Sequence, residues 1–163
     1  MVIMAISRIL LPFCHQLSLQ RIFSTASRCA TLLPVSTVTQ TTQSIVVSVN
    51  PAPLEDESRP GDGVFAFAYT VRIENCSEQI VQLLERHWLI ESAGEQVGEV
   101  VGPGVVGVQP ILEPGQHFEY TSSTVIKDPV GSMRGTYIFS RKEGGYFTAQ
   151  IPRFSLIYPQ LCH

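Results

Sequence analysis

The sequence predicts an all-β fold, an antiparallel sandwich of immunoglobulin or fibronectin type III size. Three observations point there. Residues 64–74 alternate strictly, with Phe65, Phe67, Tyr69, Val71 and Ile73 on one parity. Period two with aromatic and β-branched side chains means a strand with one face in a core. Turn signals then recur every ~8–12 residues through roughly 115 residues, enough for about seven to eight strands. Beyond residue 40, no stretch keeps a helical period.

The elements follow in order. Residues 44–49 are rich in Val and Ile and stop at Asn50-Pro51. A polar loop with Pro51, Pro53, Pro60, Gly61 and Gly63 precedes the alternating strand. A turn at residues 75–78 leads to a strand over 80–91, which carries the single tryptophan, Trp88, as a core anchor. Ser92-Ala93-Gly94-Glu95 reads as a hairpin turn into residues 97–101. Glu113-Pro114-Gly115-Gln116 is a Pro-Gly turn, followed by a strand over 117–125. After the loop at Lys127-Asp128-Pro129, residues 132–141 place Met133, Tyr137 and Phe139 on one parity. Glu143-Gly144-Gly145 turns the chain into a strand over 146–151. Pro152 interrupts it, and Phe154, Leu156 and Tyr158 form a last, edge-like run.

The first 43 residues read as a separate extension, helical or disordered, ahead of a domain over residues 44–163. They lack Asp and Glu, contain Arg8, Arg21 and Arg28, and are rich in Ser, Thr, Leu and Ile. Ile3, Ile6, Leu10, Phe13 and Leu17 share one helical face. This is the composition of an organelle transit peptide, and Arg21-Ile22-Phe23-Ser24 resembles a matrix-processing site. The expected address is the mitochondrial matrix, with plastid or cytoplasm as alternatives. The apolar run ends near Phe13, too short for a span of about 20 residues, so no stable membrane insertion is expected.

Eight basic and 14 acidic residues follow residue 43, a formal charge near −6. Such a body is a poor binder of nucleic acid, whose phosphates call for Lys and Arg. The four cysteines, Cys14, Cys29, Cys76 and Cys162, show no CxxC pair or metal-ligand spacing. A reduced compartment is the simpler reading, with a Cys76–Cys162 pair as the alternative. There is no GxSxG elbow, and no HxxxH, HxH or DxD pattern. His87 reads as a strand histidine satisfied by a backbone carbonyl, and His117 as an exposed strand start. The expectation is a non-enzyme without a resident cofactor, with Mg²⁺ or Co²⁺ as a weak alternative.

Gly102, Gly104 and Gly107 spell GxGxxG. A dinucleotide-binding turn of that spacing must run from a strand into a helix. Pro110 and Pro114 follow too closely, since proline inside a helix costs about 3 kcal/mol. What remains is a glycine-rich loop between strands. Its glycines allow φ > 0 where the chain turns, and its amides are candidates for an anion-binding concavity. Arg86 and Arg134 are candidates to add charge. Val105, Val106, Val108, Ile111 and Leu112 offer an apolar surface alongside.

Residues 65–159 resemble the ApaG domain. The resemblance is carried by Phe67-Ala68-Tyr69-Thr70-Val71, Val81-Gln82-Leu83-Leu84-Glu85-Arg86-His87-Trp88 and Gly102-Pro103-Gly104-Val105-Val106-Gly107-Val108-Gln109-Pro110. Glu113-Pro114-Gly115-Gln116-His117-Phe118-Glu119-Tyr120, Gly131-Ser132-Met133-Arg134-Gly135-Thr136-Tyr137 and Ile151-Pro152-x-Phe154-x-Leu156 continue it. It implies a fibronectin type III-like sandwich and a non-catalytic module. In eukaryotes it implies protein interaction, as in F-box adaptors. In bacteria it implies a link to cobalt resistance and magnesium efflux, with a candidate pyrophosphate site at the glycine motif. His117 stands where many relatives have a small or polar residue, so it receives no role.

Two functions follow. In the first, the domain binds a protein partner through Gly102, Gly104, Val105, Val106, Gly107, Gln109 and Pro110 and the adjoining strands, by sheet-edge addition. In the second, the same loop, supported by Arg86, His87 and Arg134, binds a nucleotide polyphosphate or metal–phosphate complex and serves divalent-cation homeostasis.

Overall fold

The computed structural model describes residues 37–159. Most of the expected targeting segment, with the Arg21–Ser24 motif, lies outside them, as do Cys14, Cys29 and Cys162. The described chain is an antiparallel β-sandwich, as the alternation and turn spacing predict.

Nine strands form two sheets. The four-stranded sheet has the order β1 (Val38–Thr42), β2 (Ile45–Pro53), β3 (Phe65–Asn75), β7 (His117–Ile126). The five-stranded sheet has the order β5 (Glu95–Pro103), β4 (Val81–Ser92), β8 (Val130–Arg141), β9 (Tyr146–Ile157). The two-residue strand β6 (Ile111–Leu112) also pairs with β4. The alternating residues of β3 all face the core, opposite Leu83, Trp88, Met133, Tyr137, Phe139, Phe154 and Leu156. Trp88 lies at its centre, with ring centroids 5.5 Å from Tyr69, 6.0 Å from Phe154 and 6.2 Å from Tyr137.

The described residues form nine strands where the sequence predicts about seven to eight, β6 being unforeseen, and three further differences have a physical reason. The sheet begins at Val38, inside the segment assigned to the extension. Strand β1 reads VTQTT and is largely exposed, so its polar composition merges with the Ser/Thr-rich residues before it. Strand β2 runs through Pro51 to Pro53, because β1 stops pairing at Val49 and leaves that flank without a ladder for proline to break. The last strand is not interrupted: β9 is continuous, and Pro152 falls where the β8–β9 register shifts between Met133 and Gly135.

A buried polar contact joins the sheets. The hydroxyls of Tyr120 and Tyr137 lie 2.5 Å apart. Burial raises both phenols well above the ordinary tyrosine range, so both stay protonated and serve as hydrogen-bonding groups. Asn75, wholly buried, donates to the carbonyls of Gln79 and Leu112 at 2.8 and 2.9 Å and accepts from Ser77. This side chain ties the end of β3 to β6.

Candidate functional site

Strand β4 carries two of the proposed functional side chains, Arg86 and His87, and a bulge in it decides where they point. Its register with β8 shifts between Leu83 and Glu85. Before the shift, Val81 and Leu83 face the core; after it, Trp88 does. Strict period two from Val81 would turn His87 inward and Trp88 outward. The extra residue reverses this, and the backbone carbonyl expected to hold the strand histidine His87 is replaced by a carboxylate. Its Nε2 lies 2.7 Å from Glu99 Oε1, and both side chains are partly exposed.

The glycine loop is an excursion from the strand that flanks β4. Strand β5 pairs with β4 from Ser92 back to Glu85, the chain leaves at Gly104, and β6 rejoins the same flank at Gln82 and Val81. The loop closes over the bulge. The Gly104 amide and the Gln109 side-chain amide both donate to the Leu84 carbonyl, each at 2.8 Å. Val105 and Val108 exchange amide–carbonyl bonds of 2.8 and 2.9 Å around a two-residue tip, Val106-Gly107, with both φ positive. A Cβ at Gly104 would lie 2.0 Å from the Val108 carbonyl oxygen, so only glycine fits there. No helix follows, which agrees with the exclusion of a dinucleotide-binding turn.

Arg86 reaches this loop. It lies opposite Gly102 on β5, whose missing side chain leaves room for the guanidinium, and its Nη1 donates to the carbonyls of Pro103 and Gly104 at 2.9 and 2.7 Å. It acts on the loop's carbonyls. The amides of Gly104, Val105 and Val108 are committed within the structure.

The structure divides the other candidates. His87 and Arg134 do not join Arg86 at the loop. They line a shallow groove of about 250 Å³ on the outer face of the five-stranded sheet, with Leu89, Gly135, Thr136 and Arg153 among its walls. Arg134 Nε lies 3.3 Å from Glu91 Oε1, and Arg153 also pairs with Glu91. A hydrogen bond from Ser132, with the two guanidinium charges, holds the Glu91 carboxyl below the ordinary range. Sequence reading weighs Glu91 only as one of five strand carboxylates and does not consider Arg153; the two are 62 positions apart and meet only through pairing of β4, β8 and β9.

The apolar loop surface also needs correction. Val105 and Leu112 are buried in the core. The exposed apolar residues are Val97, Val101, Val108 and Ile111, each between 43% and 65% exposed. They are spread along β5, the loop and β6, on the free edge of the sheet. Among the described residues no group of three or more His, Cys, Asp or Glu side chains is placed to hold a metal ion. No described helix is long and apolar enough to cross a membrane.

Comparison with known proteins places these residues in context. The ApaG domain family matches residues 55–141. A Protein ApaG from Paramagnetospirillum magneticum is 52% identical over 120 residues, covering 74% of this chain and 92% of its own. One from Anaeromyxobacter dehalogenans is 50% identical over 121 residues, covering 74% and 95%. Among solved structures, an ApaA protein from Bordetella pertussis superposes with a TM-score of 0.69 at 44% identity, covering 71% of this chain and 94% of that one.

Proposed function

Since this chain belongs to the ApaG domain family, we propose that it is a non-catalytic interaction module that takes an extended segment of a partner protein onto the free edge of β5. The observation that carries this reading is the finish of that edge. It presents unpaired strand backbone beside exposed Val97, Val101, Val108 and Ile111. Main-chain pairing supplies affinity in strand addition, and alternate side chains supply selectivity.

The same strand carries Glu95 and Glu99. Two copies meeting along β5 would bring like charges together, whereas a strand with alternating apolar and basic residues would be matched. The partner segment is therefore expected to carry Lys or Arg among β-branched residues. The edge is finished by Pro103 and by the register shift between Ile90 and Glu91, which limit open pairing.

The alternative, a nucleotide-polyphosphate or metal–phosphate site at the glycine loop, has weaker support. Three of the loop's amides are turned inward, and of the supporting cations only Arg86 stands there. We place the module in an organelle, the mitochondrial matrix first, on the composition of the leading residues. A fluorescent fusion of residues 1–45 should reach that compartment; diffuse cytosolic signal would remove the assignment.

The binding reading is tested with the full chain as bait and Val101→Lys as its variant. Val101 is 65% exposed, so the substitution should leave stability within about 0.5 kcal/mol. The reading expects the bound partner to slow hydrogen exchange of β5 amides in the wild type and to be lost from the variant. A partner held equally by both, with unchanged exchange in β5, would overturn it.

A further inference from the structure

The outer groove adjoins the β5 edge through His87 but has its own chemistry. Two guanidiniums there share one carboxylate. Arg153 pairs with Glu91 and donates from Nε and Nη2 to Ser132 Oγ at 3.2 and 3.0 Å. Arg134 approaches the other Glu91 oxygen through Nε only. The Glu91 side chain is only 14% exposed, while those of Arg134 and Arg153 are 53% and 62% exposed. The carboxylate thus acts as an anchor at the base of two solvent-facing forks. Ser132, buried, adds a third contact to Glu91 at 2.9 Å.

Long cationic side chains normally lose rotamer freedom when they bind. Here Arg153 is already held by hydrogen bonds to Glu91 and Ser132, and Arg134 lies within ion-pair distance of the same carboxylate. The Nη atoms of Arg134 and Nη1 of Arg153 make no hydrogen bond among the described residues, and they belong to residues lining the groove. Gly135 lets β4 and β8 approach closely beneath the groove: a Cβ there would lie 2.1 Å from the His87 carbonyl oxygen. Gln40, Thr136 and Gln150 add polar groups to the walls, and Leu89 and Ile151 add apolar surface. His87 Nε2 is hydrogen-bonded to Glu99 Oε1 at 2.7 Å.

Charge counting selects the ligand. Two guanidiniums against Glu91 leave one net positive charge, which one carboxylate neutralises. A carboxylate also matches the planar, two-donor edge of a guanidinium. We propose that this groove binds a single carboxylate group, carried by a small organic acid or by a peptide C-terminus, with Arg134 as the principal donor and Arg153 as the second.

The test is titration of the full chain, followed by amide chemical shifts, with three probes: succinate, a short neutral peptide with a free C-terminus, and inorganic phosphate. Binding of succinate or of the peptide, with shifts at Gly135 and Thr136, is the expected result, and the tighter of the two identifies the source. Arg134→Gln should weaken that binding about tenfold, the scale of one charge-assisted hydrogen bond. Arg153→Gln is a second, equally exposed position should the first variant fold poorly. Arg72→Gln, which removes an ion pair on the other sheet, should change nothing. Phosphate binding tighter than either carboxylate would overturn the choice of ligand. Absence of shifts with all probes, or equal weakening by Arg72→Gln, would overturn the site. Ile111→Lys, on the same edge but paired with Gln82 away from the groove, should leave carboxylate binding intact, so failure here is separable from failure at the β5 edge.

Discussion

The two edges of the five-stranded sheet are finished in opposite ways. At one, β9 folds its apolar parity into the core and packs against β1 and β2, with the Gln150 amide donating to Thr42 Oγ1. Phe147 stacks on Phe139 at 5.4 Å, and the Arg141 guanidinium covers it. At the other, β5 and β6 flank β4 in two pieces, four apolar side chains stay in solvent, and a valine holds a positive φ. The contrast teaches that closure of this sandwich depends on β9, while the β5 side carries features that closure does not explain.

The largest effect expected from this contrast comes from truncating matched apolar side chains at each edge. Phe154→Ala on β9 should cost about 3–5 kcal/mol in denaturant unfolding, since the ring is buried against Trp88 and Tyr69. Val101→Ala on β5 should stay within about 0.5 kcal/mol. Similar costs would erase the distinction. Next is Gly104→Ala, whose Cβ would collide with the Val108 carbonyl; a loss of about 3 kcal/mol is expected. Wild-type stability would show that the loop does not close as described.

Smaller effects test the joints between the sheets. Tyr137→Phe strands the Tyr120 hydroxyl in the core and should cost about 1–3 kcal/mol, most of it recovered when Tyr120→Phe is added. A purely additive double variant would contradict the hydroxyl pair. Glu91 and Glu74 respond to pH. Their carboxyls lie below the ordinary range, Glu74 chiefly through its bond from Arg72 and Glu91 chiefly through Ser132. A carboxyl with a depressed folded-state pKa stabilises the fold above its unfolded pKa. That contribution disappears as pH falls through the folded value. Melting temperature should therefore drop less steeply below about pH 4.5 in Glu91→Gln than in the wild type. Smallest is Val106→Gly. Relief of the left-handed valine offsets lost packing, and a gain of no more than about 1 kcal/mol is expected.

The sandwich was legible because β3 alternates without error and the turns at Ala93-Gly94 and Pro114-Gly115 place Gly94 and Gly115 at positive φ. Strand β1 was not, since an exposed polar strand carries no hydrophobic period. The direction of Arg86 and His87 was not, because one bulge at Leu84 reverses the parity of half of β4, and the donors that hold it come from the glycine loop. The meeting of Glu91, Arg134 and Arg153 depends on three strands and left no local signal. The glycine spacing was legible as a loop, and its task in closing over Leu84 emerged only from the register.

The β5 edge is the proposed meeting place of this protein and its partner. The most direct test places a photo-crosslinking side chain at Val101 and, separately, at Tyr146, which is 74% exposed on β9. With the full chain in its own compartment, a discrete adduct from position 101, mapping to an extended segment of one protein, and none from position 146 is the predicted result. Adducts from position 146 alone, or the same set from both, would contradict it.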